Sequence, residues 1–276
     1  MNLCTLKNSA LCAQIAPEKG GTLVQLSRDG VDFLYADPEN LASPERPRCG
    51  VPFLFPIFGR LKDGAYTWEG KTYHMDIHGF GHTSPWTVAE HREDLLRLVL
   101  TENAETLARY PFPFRVEMTY RLTPEELEIR LRICNTGTGV LPYSFGFHPY
   151  FLVRNLSGAR VEARAAAQLD FATGSAIPFG QGTLGLTIPQ GAAEAGAALV
   201  GLQSPTVVHL PGEGRRITLT QDGSFPQLVL WTQAGKPFLC VEPINGSANG
   251  LNTGNYLTLK PGENREITLA LRPECI

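Results

Sequence analysis

The sequence has 276 residues with 24 basic and 27 acidic side chains, a formal net charge of −3 and a hydrophobic fraction of 43%. This charge balance argues against a nucleic-acid-binding protein, which needs an excess of Lys and Arg to neutralise phosphates, and the apolar content argues against disorder. Because no apolar run reaches the ~18 residues that cross a bilayer and the first residues do not resemble a secretory signal, we expect a cytoplasmic protein without membrane contact.

The pattern along the chain predicts strands rather than helices. Glycine (28) and proline (21) are frequent, and short apolar or alternating stretches end at Gly, Pro, Asn or Asp. The predicted strands cover residues 21–26, 31–35, 64–68, 71–75, 95–101, 114–122, 127–135, 216–220, 227–232, 238–241, 255–259 and 266–271. A short helix is predicted over residues 102–110, before Pro111. Short strands at regular spacing are typical of an antiparallel β-sandwich or barrel, so we predict an all-β fold.

We expect a single domain over residues 1–276, because no shift in composition divides the chain. Residues 163–201, rich in Ala, Gly and Gln, give the weakest pattern and are predicted to be a long excursion or irregular edge strands. The six cysteines are scattered, with no Cys-x-x-Cys pair, so we interpret them as buried or surface thiols without a chemical task.

Residues 49–64 read CGVPFLFPIFGRLKDG, and the charged residue Arg60 directly follows the apolar part of this segment. The prolines and glycines fix an irregular backbone from which Arg60 emerges. One interpretation is a surface arginine whose stem covers apolar neighbours. The other is an arginine held in a rigid rim, where its donors bind hydroxyl or phosphate oxygens.

Three histidines lie four apart in residues 74–82, HMDIHGFGH. On a helix this spacing would favour a metal site, but two glycines and a preceding strand argue against a helix. We therefore predict no metal site here and a single functional histidine, His78, held beside Gly79.

Another candidate histidine, His148, lies in residues 143–151, YSFGFHPYF. Alternation along a strand sends Phe145 and Phe147 into a core and puts His148 and Tyr150 on the other face, where small residues leave room for a ligand. The alternative is a core histidine satisfied by the backbone.

The carboxylate that could act together with His148 is Glu242, in residues 238–245, FLCVEPIN. Alternation separates Leu239 and Val241 from Cys240 and Glu242. A carboxylate at the end of an apolar strand is costly to bury without a partner, so the alternative is an exposed glutamate. Together, His148 and Glu242 make a plausible general acid/base pair, with reference pKa values near 6.5 and 4.3.

Taken in order, these segments resemble the aldose 1-epimerase (mutarotase) family, most closely its shorter, LacX-like branch. The matching motifs are IHGF, GFHPYF and VEP, within a similarity that extends over most of residues 50–263. Any one of these motifs would be weak by itself, but their combination is specific.

The resemblance implies a large antiparallel β-sandwich of the galactose mutarotase type that binds a monosaccharide or sugar phosphate on a concave face. It implies that Glu242 is the general base for the anomeric hydroxyl and that His148 is the general acid for the ring oxygen, so that the ring opens and recloses as the other anomer. His78 and Arg60 would bind sugar hydroxyls. No metal or organic cofactor is implied, and we expect a monomer or homodimer. The candidate aromatic wall consists of Phe55, Phe58, Tyr150 and Trp231.

One feature of the family pattern is missing. The galactose-type enzymes use an additional aspartate between the two catalytic strands, and here that interval offers only Asp170 and Asp222, in no matching context. Two alternatives therefore stay open. The first is a non-catalytic sugar-binding or sensor protein on the same fold. The second is a hexose-6-phosphate 1-epimerase, for which Arg48, Lys62 and Arg154 are available as rim cations.

Overall fold

Residues 1–169 and 175–276 are described in a computed structural model, and Asp170 lies outside them. The strands are β1 (Cys4–Lys7), β2 (Leu11–Ala16), β3 (Thr22–Arg28), β4 (Val31–Asp32), β5 (Phe53–Leu54), β6 (Ala65–Trp68), β7 (Lys71–His74), β8 (Thr87–His91), β9 (Leu95–Thr101), β10 (Phe114–Leu122), β11 (Leu127–Asn135), β12 (Leu141–Tyr143), β13 (Phe145–Phe147), β14 (Tyr150–Leu152), β15 (Arg160–Leu169), β16 (Ala176–Leu184), β17 (Glu194–Val200), β18 (Gln203–Leu210), β19 (Arg215–Gln221), β20 (Gln227–Gln233), β21 (Phe238–Asn245), β22 (Leu257–Leu259) and β23 (Asn264–Cys275). The helices are α1 (Pro38–Ala42), α2 (Ala104–Arg109) and α3 (Gly250–Thr253), with 3₁₀ turns at Lys62–Gly64, Leu156–Gly158 and Pro211–Glu213. No helix in the two described ranges has the length and apolar character needed to span a membrane.

Most strands join one large antiparallel sheet. Its order is β5-β13-β21-β20-β17-β15-β18-β19-β23-β11-β10-β9-β8, and β14 and β16 pair with β21 and β15. Strands β1 to β4 form a second sheet, and the pairs β12–β22 and β6–β7 form two small ones. A shared apolar core contains Leu11 and Leu26 from the second sheet and Leu98 and Met118 from the large one. The predicted all-β fold, a large antiparallel sandwich, is confirmed.

The central hairpin shows why the strand prediction succeeds. Every second residue of β10 is buried, and β11 follows the same alternation. The two strands pair from Phe114 opposite Asn135 to Leu122 opposite Leu127, with the bounds that the sequence predicts. Alternating burial is the signature of a strand that packs one face on a core, and here the sequence carries it without interruption.

The prediction for residues 163–201 was incomplete. Strand β17 is not an edge strand, because it pairs with β20 on one side and β15 on the other. Its residues Ala197, Ala198 and Leu199 are all buried, so no polar–apolar alternation marks the strand in the sequence. Strands β1 and β2 were also missed, although alternate residues of β2 are buried.

A break between two short strands positions His148. Both β13 and β14 pair with β21, and residues 148–149 lie between them. Tyr150 lies opposite Cys240, and the backbone N–H of Val241 donates to the Pro149 carbonyl at 3.2 Å. These contacts place the histidine beside the strand that carries Glu242.

Candidate active site

A cavity of about 350 Å³ lies beside β21 and β20. It has the size and the mixed polar and apolar lining of a small-molecule site. The side chains around it come from segments that are far apart in the sequence. They are Arg46, Phe58, Arg60, Ile77, His78, His148, Tyr150, Glu194, Val229, Leu230, Trp231 and Glu242. The structure therefore brings all four predicted site residues, Glu242, His148, Arg60 and His78, to one cavity.

His148 and Glu242 face each other in the wall of this cavity. The distance from His148 Nε2 to Glu242 Oε1 is 3.4 Å, and the residues are 6% and 3% exposed. The Tyr150 ring stacks on the imidazole with centroids 4.5 Å apart and an interplanar angle of 11°. The alternatives of an exposed glutamate and of a histidine satisfied within the core do not fit this geometry, because both side chains are buried and line the cavity.

Burial pushes the two pKa values in opposite directions. It lowers the pKa of His148 to about 3, with a further decrease from the Arg46 guanidinium. It raises the pKa of Glu242 well above its usual value, against the opposing effect of Arg46. A desolvated site disfavours charge on either group. Burial therefore favours the uncharged form of each group, a protonated carboxyl on Glu242 and a neutral imidazole on His148.

His78 is held in a fixed orientation by Gly59. Its backbone has a φ of 66°, a left-handed value that is uncommon for a non-glycine residue. The His78 N–H donates to the Gly59 carbonyl at 2.9 Å, and the Gly59 N–H donates to His78 Nδ1 at 3.1 Å. Because Nδ1 accepts, the proton is on Nε2, and burial keeps the pKa of His78 well below its usual range. The imidazole is thus a neutral donor beside the cavity.

Two glycines allow this arrangement. A Cβ on Gly79, whose φ is 71°, would lie 2.4 Å from the Phe55 carbonyl oxygen, so only glycine fits. A Cβ on Gly59, whose φ is 69°, would lie 2.8 Å from the Cβ of Ala248. Arg60 follows directly, is exposed, and lines the cavity from its rim.

The aromatic wall differs from the prediction in one member. Phe58, Tyr150 and Trp231 line the cavity. Phe55 does not, because it is fully buried in the core, where its ring packs edge-on against Phe80 and Phe114. Alternation could not reveal this, since Phe55 and Phe58 lie in an irregular segment that has no strand period.

The sequence analysis missed two charged residues of the cavity, Arg46 and Glu194. Arg46 is half-buried and acts electrostatically on both His148 and Glu242. Glu194, the first residue of β17, accepts a hydrogen bond from Trp231 Nε1 through Oε2 at 3.0 Å. Glu194 is one of several acidic residues between His148 and Glu242, so the sequence pointed to this interval but did not single out Glu194.

Asp222 does not supply the missing aspartate. Its carboxylate accepts from the backbone N–H groups of Ser224 at 2.8 Å and Thr268 at 2.6 Å, so it closes a turn. It does not line the cavity, whereas Glu194 does.

A second cavity of about 570 Å³ adjoins the first and shares Arg46 and Ile77 with it. It is also lined by Arg48 and by His82, whose buried Nδ1 has no hydrogen-bond partner within residues 1–169 and 175–276. The other predicted rim cations lie elsewhere: Arg154 approaches Glu213 at 3.5 Å, and Lys62 lines neither cavity.

The three spaced histidines do not form a cluster. His78 and His82 have ring centroids 6.2 Å apart, but His74 is exposed on β7. In the described part of the chain, one different group could hold a metal ion: ligand atoms of His148, Cys240 and Glu242 lie within 4.8 Å of one another.

Several known proteins are similar to this chain over nearly its whole length. Protein LacX from Lactococcus lactis subsp. lactis is 28% identical, over 93% of this chain and 92% of its own. The crystal structure of the Slr1438 protein from Synechocystis sp. PCC 6803 superposes with a TM-score of 0.89 at 30% identity, covering 100% of this chain and 96% of the other. The crystal structure of a galactose mutarotase-like protein from Lactobacillus casei ATCC 334 superposes with a TM-score of 0.84 at 25% identity, covering 99% of this chain and 100% of the other.

The fold resemblance inferred from the sequence is therefore confirmed at the level of the galactose mutarotase type. The family model for aldose 1-epimerase matches residues 2–272, nearly the whole chain. The chain belongs to the aldose 1-epimerase family.

Proposed function

We propose that this protein interconverts the α and β anomers of an aldohexose, with Glu242 and His148 as its proton-transfer groups. The observation that carries the proposal is the 3.4 Å approach of His148 Nε2 and Glu242 Oε1 in the wall of a sugar-sized cavity. Mutarotation needs one proton removed from the anomeric hydroxyl and one delivered to the ring oxygen. Two such groups a few ångströms apart suit that task.

The reaction proceeds by ring opening and reclosure. Before ring opening, the proton passes from Glu242 to His148 across their 3.4 Å contact. Glu242, as the carboxylate, then takes the proton from the C1 hydroxyl while His148, as the imidazolium, protonates the ring oxygen. The C1–O5 bond breaks and a free aldehyde forms. Rotation about C1–C2 exposes the other carbonyl face, and the same two protons return in the opposite sense to give the other anomer.

The proton balance of the pair explains why the two groups are adjacent. Ring opening moves one proton from His148 to the substrate and one from the substrate to Glu242, so the number of protons on the pair does not change. Burial favours the arrangement with that proton on Glu242. That arrangement is the one that accompanies the open-chain aldehyde, so the dry cavity stabilises the pair at the stage where the intermediate forms.

Three further residues are proposed to bind sugar hydroxyls. His78 donates through Nε2–H, Arg60 donates from the rim, and Glu194 accepts beside Trp231. Trp231 offers an apolar face of the kind that packs on the C–H surface of a pyranose. Glu194 lies in the interval in which the sequence shows no matching aspartate, and among the described acidic residues of that interval it is the one that lines the cavity.

Anomer exchange measured by NMR saturation transfer tests this function. We expect wild-type protein to accelerate exchange for at least one aldose in a panel that includes glucose and galactose, and His148→Ala to lose the acceleration while keeping its folded circular dichroism spectrum. Sugar binding by calorimetry without any acceleration across the panel would instead support a non-catalytic sugar-binding or sensor protein.

A second candidate is a hexose-6-phosphate 1-epimerase, and the adjoining cavity is the observation that favours it. Arg46 and Arg48 line it, and neither forms an ion pair with a carboxylate in the described part of the chain. Guanidinium groups with free donors are suited to phosphate. If the phosphorylated sugar is the substrate, Arg48→Gln should raise KM for glucose 6-phosphate about tenfold and leave KM for glucose unchanged. Equal effects on both sugars would contradict it.

We also propose that residues 1–276 act as one domain, as a monomer or homodimer, without a metal or organic cofactor in the reaction. Activity that survives dialysis against a chelator, in a species whose mass by light scattering corresponds to one or two chains, is the expected result.

A further inference from the structure

A buried thiol lies directly behind the proposed acid/base pair. One imidazole nitrogen of His148, Cys240 Sγ and a carboxylate oxygen of Glu242 all lie within 4.8 Å of one another. The three residues are 6%, 0% and 3% exposed. Nothing in the proposed epimerisation uses the thiol.

The backbone fixes this grouping. Cys240 and Glu242 are two residues apart on β21, so their side chains point to the same face of the sheet. The pairing of Tyr150 with Cys240 and the hydrogen bond from Val241 to Pro149 hold His148 against that face. The three side chains therefore start close together and lose little conformational freedom if they bind one ion.

The donor set fits one class of cation. Zn²⁺ binds thiolate sulfur, imidazole nitrogen and carboxylate oxygen, and sites with three protein ligands keep a fourth, open position. In a tetrahedral zinc site the ligand atoms lie about 3.5 Å apart, so the group needs to contract by roughly 1 Å. Mg²⁺ and Ca²⁺ prefer oxygen ligands throughout and do not match a set that contains sulfur. The cavity that His148 and Glu242 line supplies both the entry path and the open position.

Charge balance also fits. Bound as thiolate and carboxylate, Cys240 and Glu242 carry two negative charges that the ion neutralises, and the protons they held are released to solvent. Burying either anion alone would cost free energy, whereas the complex of the two anions with Zn²⁺ has no net charge and avoids that cost.

We propose that Zn²⁺ binds to His148, Cys240 and Glu242 and excludes the sugar, so that the ion reversibly inhibits the protein. The inhibition rests on the proposed epimerase function, because it occupies both proton-transfer groups. The binding does not, so binding and inhibition are measured separately.

Co²⁺ is the probe for binding, since a thiolate ligand gives it a sulfur-to-cobalt charge-transfer band. We expect this band in wild-type protein, its loss on addition of one equivalent of Zn²⁺, and its absence in Cys240→Ser. Zn²⁺ affinity by equilibrium dialysis should fall at least 30-fold in Cys240→Ser. The matched control is Cys275→Ser, which removes an exposed thiol and should bind as wild type does.

Inhibition is measured as anomer exchange at increasing Zn²⁺. We expect loss of exchange that a chelator reverses, competition between Zn²⁺ and the sugar, and at least 30-fold lower sensitivity in Cys240→Ser. Cys240→Ala, which needs no buried polar partner, replaces the serine variant if the latter does not fold.

Several results would overturn the proposal. They are the absence of a thiolate band with Co²⁺, equal Zn²⁺ affinity in wild type and Cys240→Ser, and Zn²⁺ inhibition that sugar does not relieve. If Cys240-dependent binding is present but no aldose is epimerised, the metal site stands and the proposed function fails. If epimerisation occurs without Cys240-dependent binding, the reverse holds.

Discussion

A partly buried glutamate, Glu213, and a buried one, Glu242, show how differently one fold can treat a carboxylate. Glu213 accepts hydrogen bonds from Arg215 and from the backbone N–H groups of Arg154 and Asn155. Burial alone would raise its pKa, but these donors lower it overall. Glu242 has His148 beside it at 3.4 Å, and its pKa is raised well above the usual range by burial.

The two carboxylates differ in how many hydrogen-bond donors surround them. A carboxylate with several donors stays charged and stabilises the fold, whereas one with a single loose partner changes its protonation easily. Buried groups whose pKa values are displaced in opposite directions are characteristic of acid/base sites. Glu213 is therefore suited to structure, and Glu242 is suited to proton transfer.

The largest expected effect comes from Glu242→Gln. The amide keeps the shape of the side chain but cannot accept the substrate proton, so kcat should fall about 10³-fold, within the range that general acid–base groups contribute. Thermal unfolding should show a melting temperature no lower than that of the wild type, because a desolvated carboxyl is removed. Activity within a few-fold of wild type would contradict the assigned role.

Glu213→Gln should give the reverse result, with the catalysed rate intact and the fold weakened. Arg215 is 1% exposed, and losing its carboxylate partner leaves a buried charge, so we expect the free energy of unfolding to fall by about 3 kcal/mol at pH 7. Denaturant titration measures this, and kcat at 25 °C is the control.

The pH dependence sharpens that prediction. The pKa of Glu213 is lower in the folded state than in the unfolded one, so its stabilisation is fully present above the unfolded pKa of about 4.3 and is lost as pH falls through the folded pKa. The stability difference between wild type and Glu213→Gln should therefore shrink in acid. A difference that grows as pH falls would be inconsistent with a lowered pKa.

Arg46→Gln probes the electrostatics of the proposed acid/base pair, His148 and Glu242. The guanidinium lowers the pKa of both His148 and Glu242, so its removal should shift both limbs of the kcat/KM profile to higher pH. The acid limb of the wild-type profile should lie well below pH 6.5, because the pKa of His148 is lowered to about 3. An acid limb near pH 6.5 would argue for a solvated histidine.

The smallest expected effect belongs to Glu194→Gln. The carboxylate is exposed and held by Trp231, and the amide oxygen can still accept from the indole and from one sugar hydroxyl. We expect KM to rise about fivefold with kcat nearly unchanged, the scale of one weakened hydrogen bond. A much larger drop in kcat would place Glu194 in the chemistry instead of in binding.

Much of the molecule is determined by local sequence. The alternation in β10 and β11 predicts both bounds and faces, and the Glu69–Gly70 turn, with φ values of 48° and 77°, predicts the β6–β7 hairpin. On β21, alternation also separates Glu242 from the core-facing Leu239 and Val241. These features follow from neighbours one or two residues away, whereas the position of His148 depends on the pairing of β13 and β14 with β21.

Tertiary structure alone decided the rest. Whether Phe55 or Phe58 meets the cavity, and whether Arg46 and Glu194 reach it, depends on pairings between residues up to about ninety positions apart, such as β5 with β13 and β17 with β20. The pKa values of His148 and Glu242 likewise come from burial and from Arg46, which no local pattern encodes. The sequence by itself therefore determined the strands, the fold class and the reactive residue types. Only the folded chain decided which of these residues share one desolvated cavity, because desolvation and charge depend on neighbours in space.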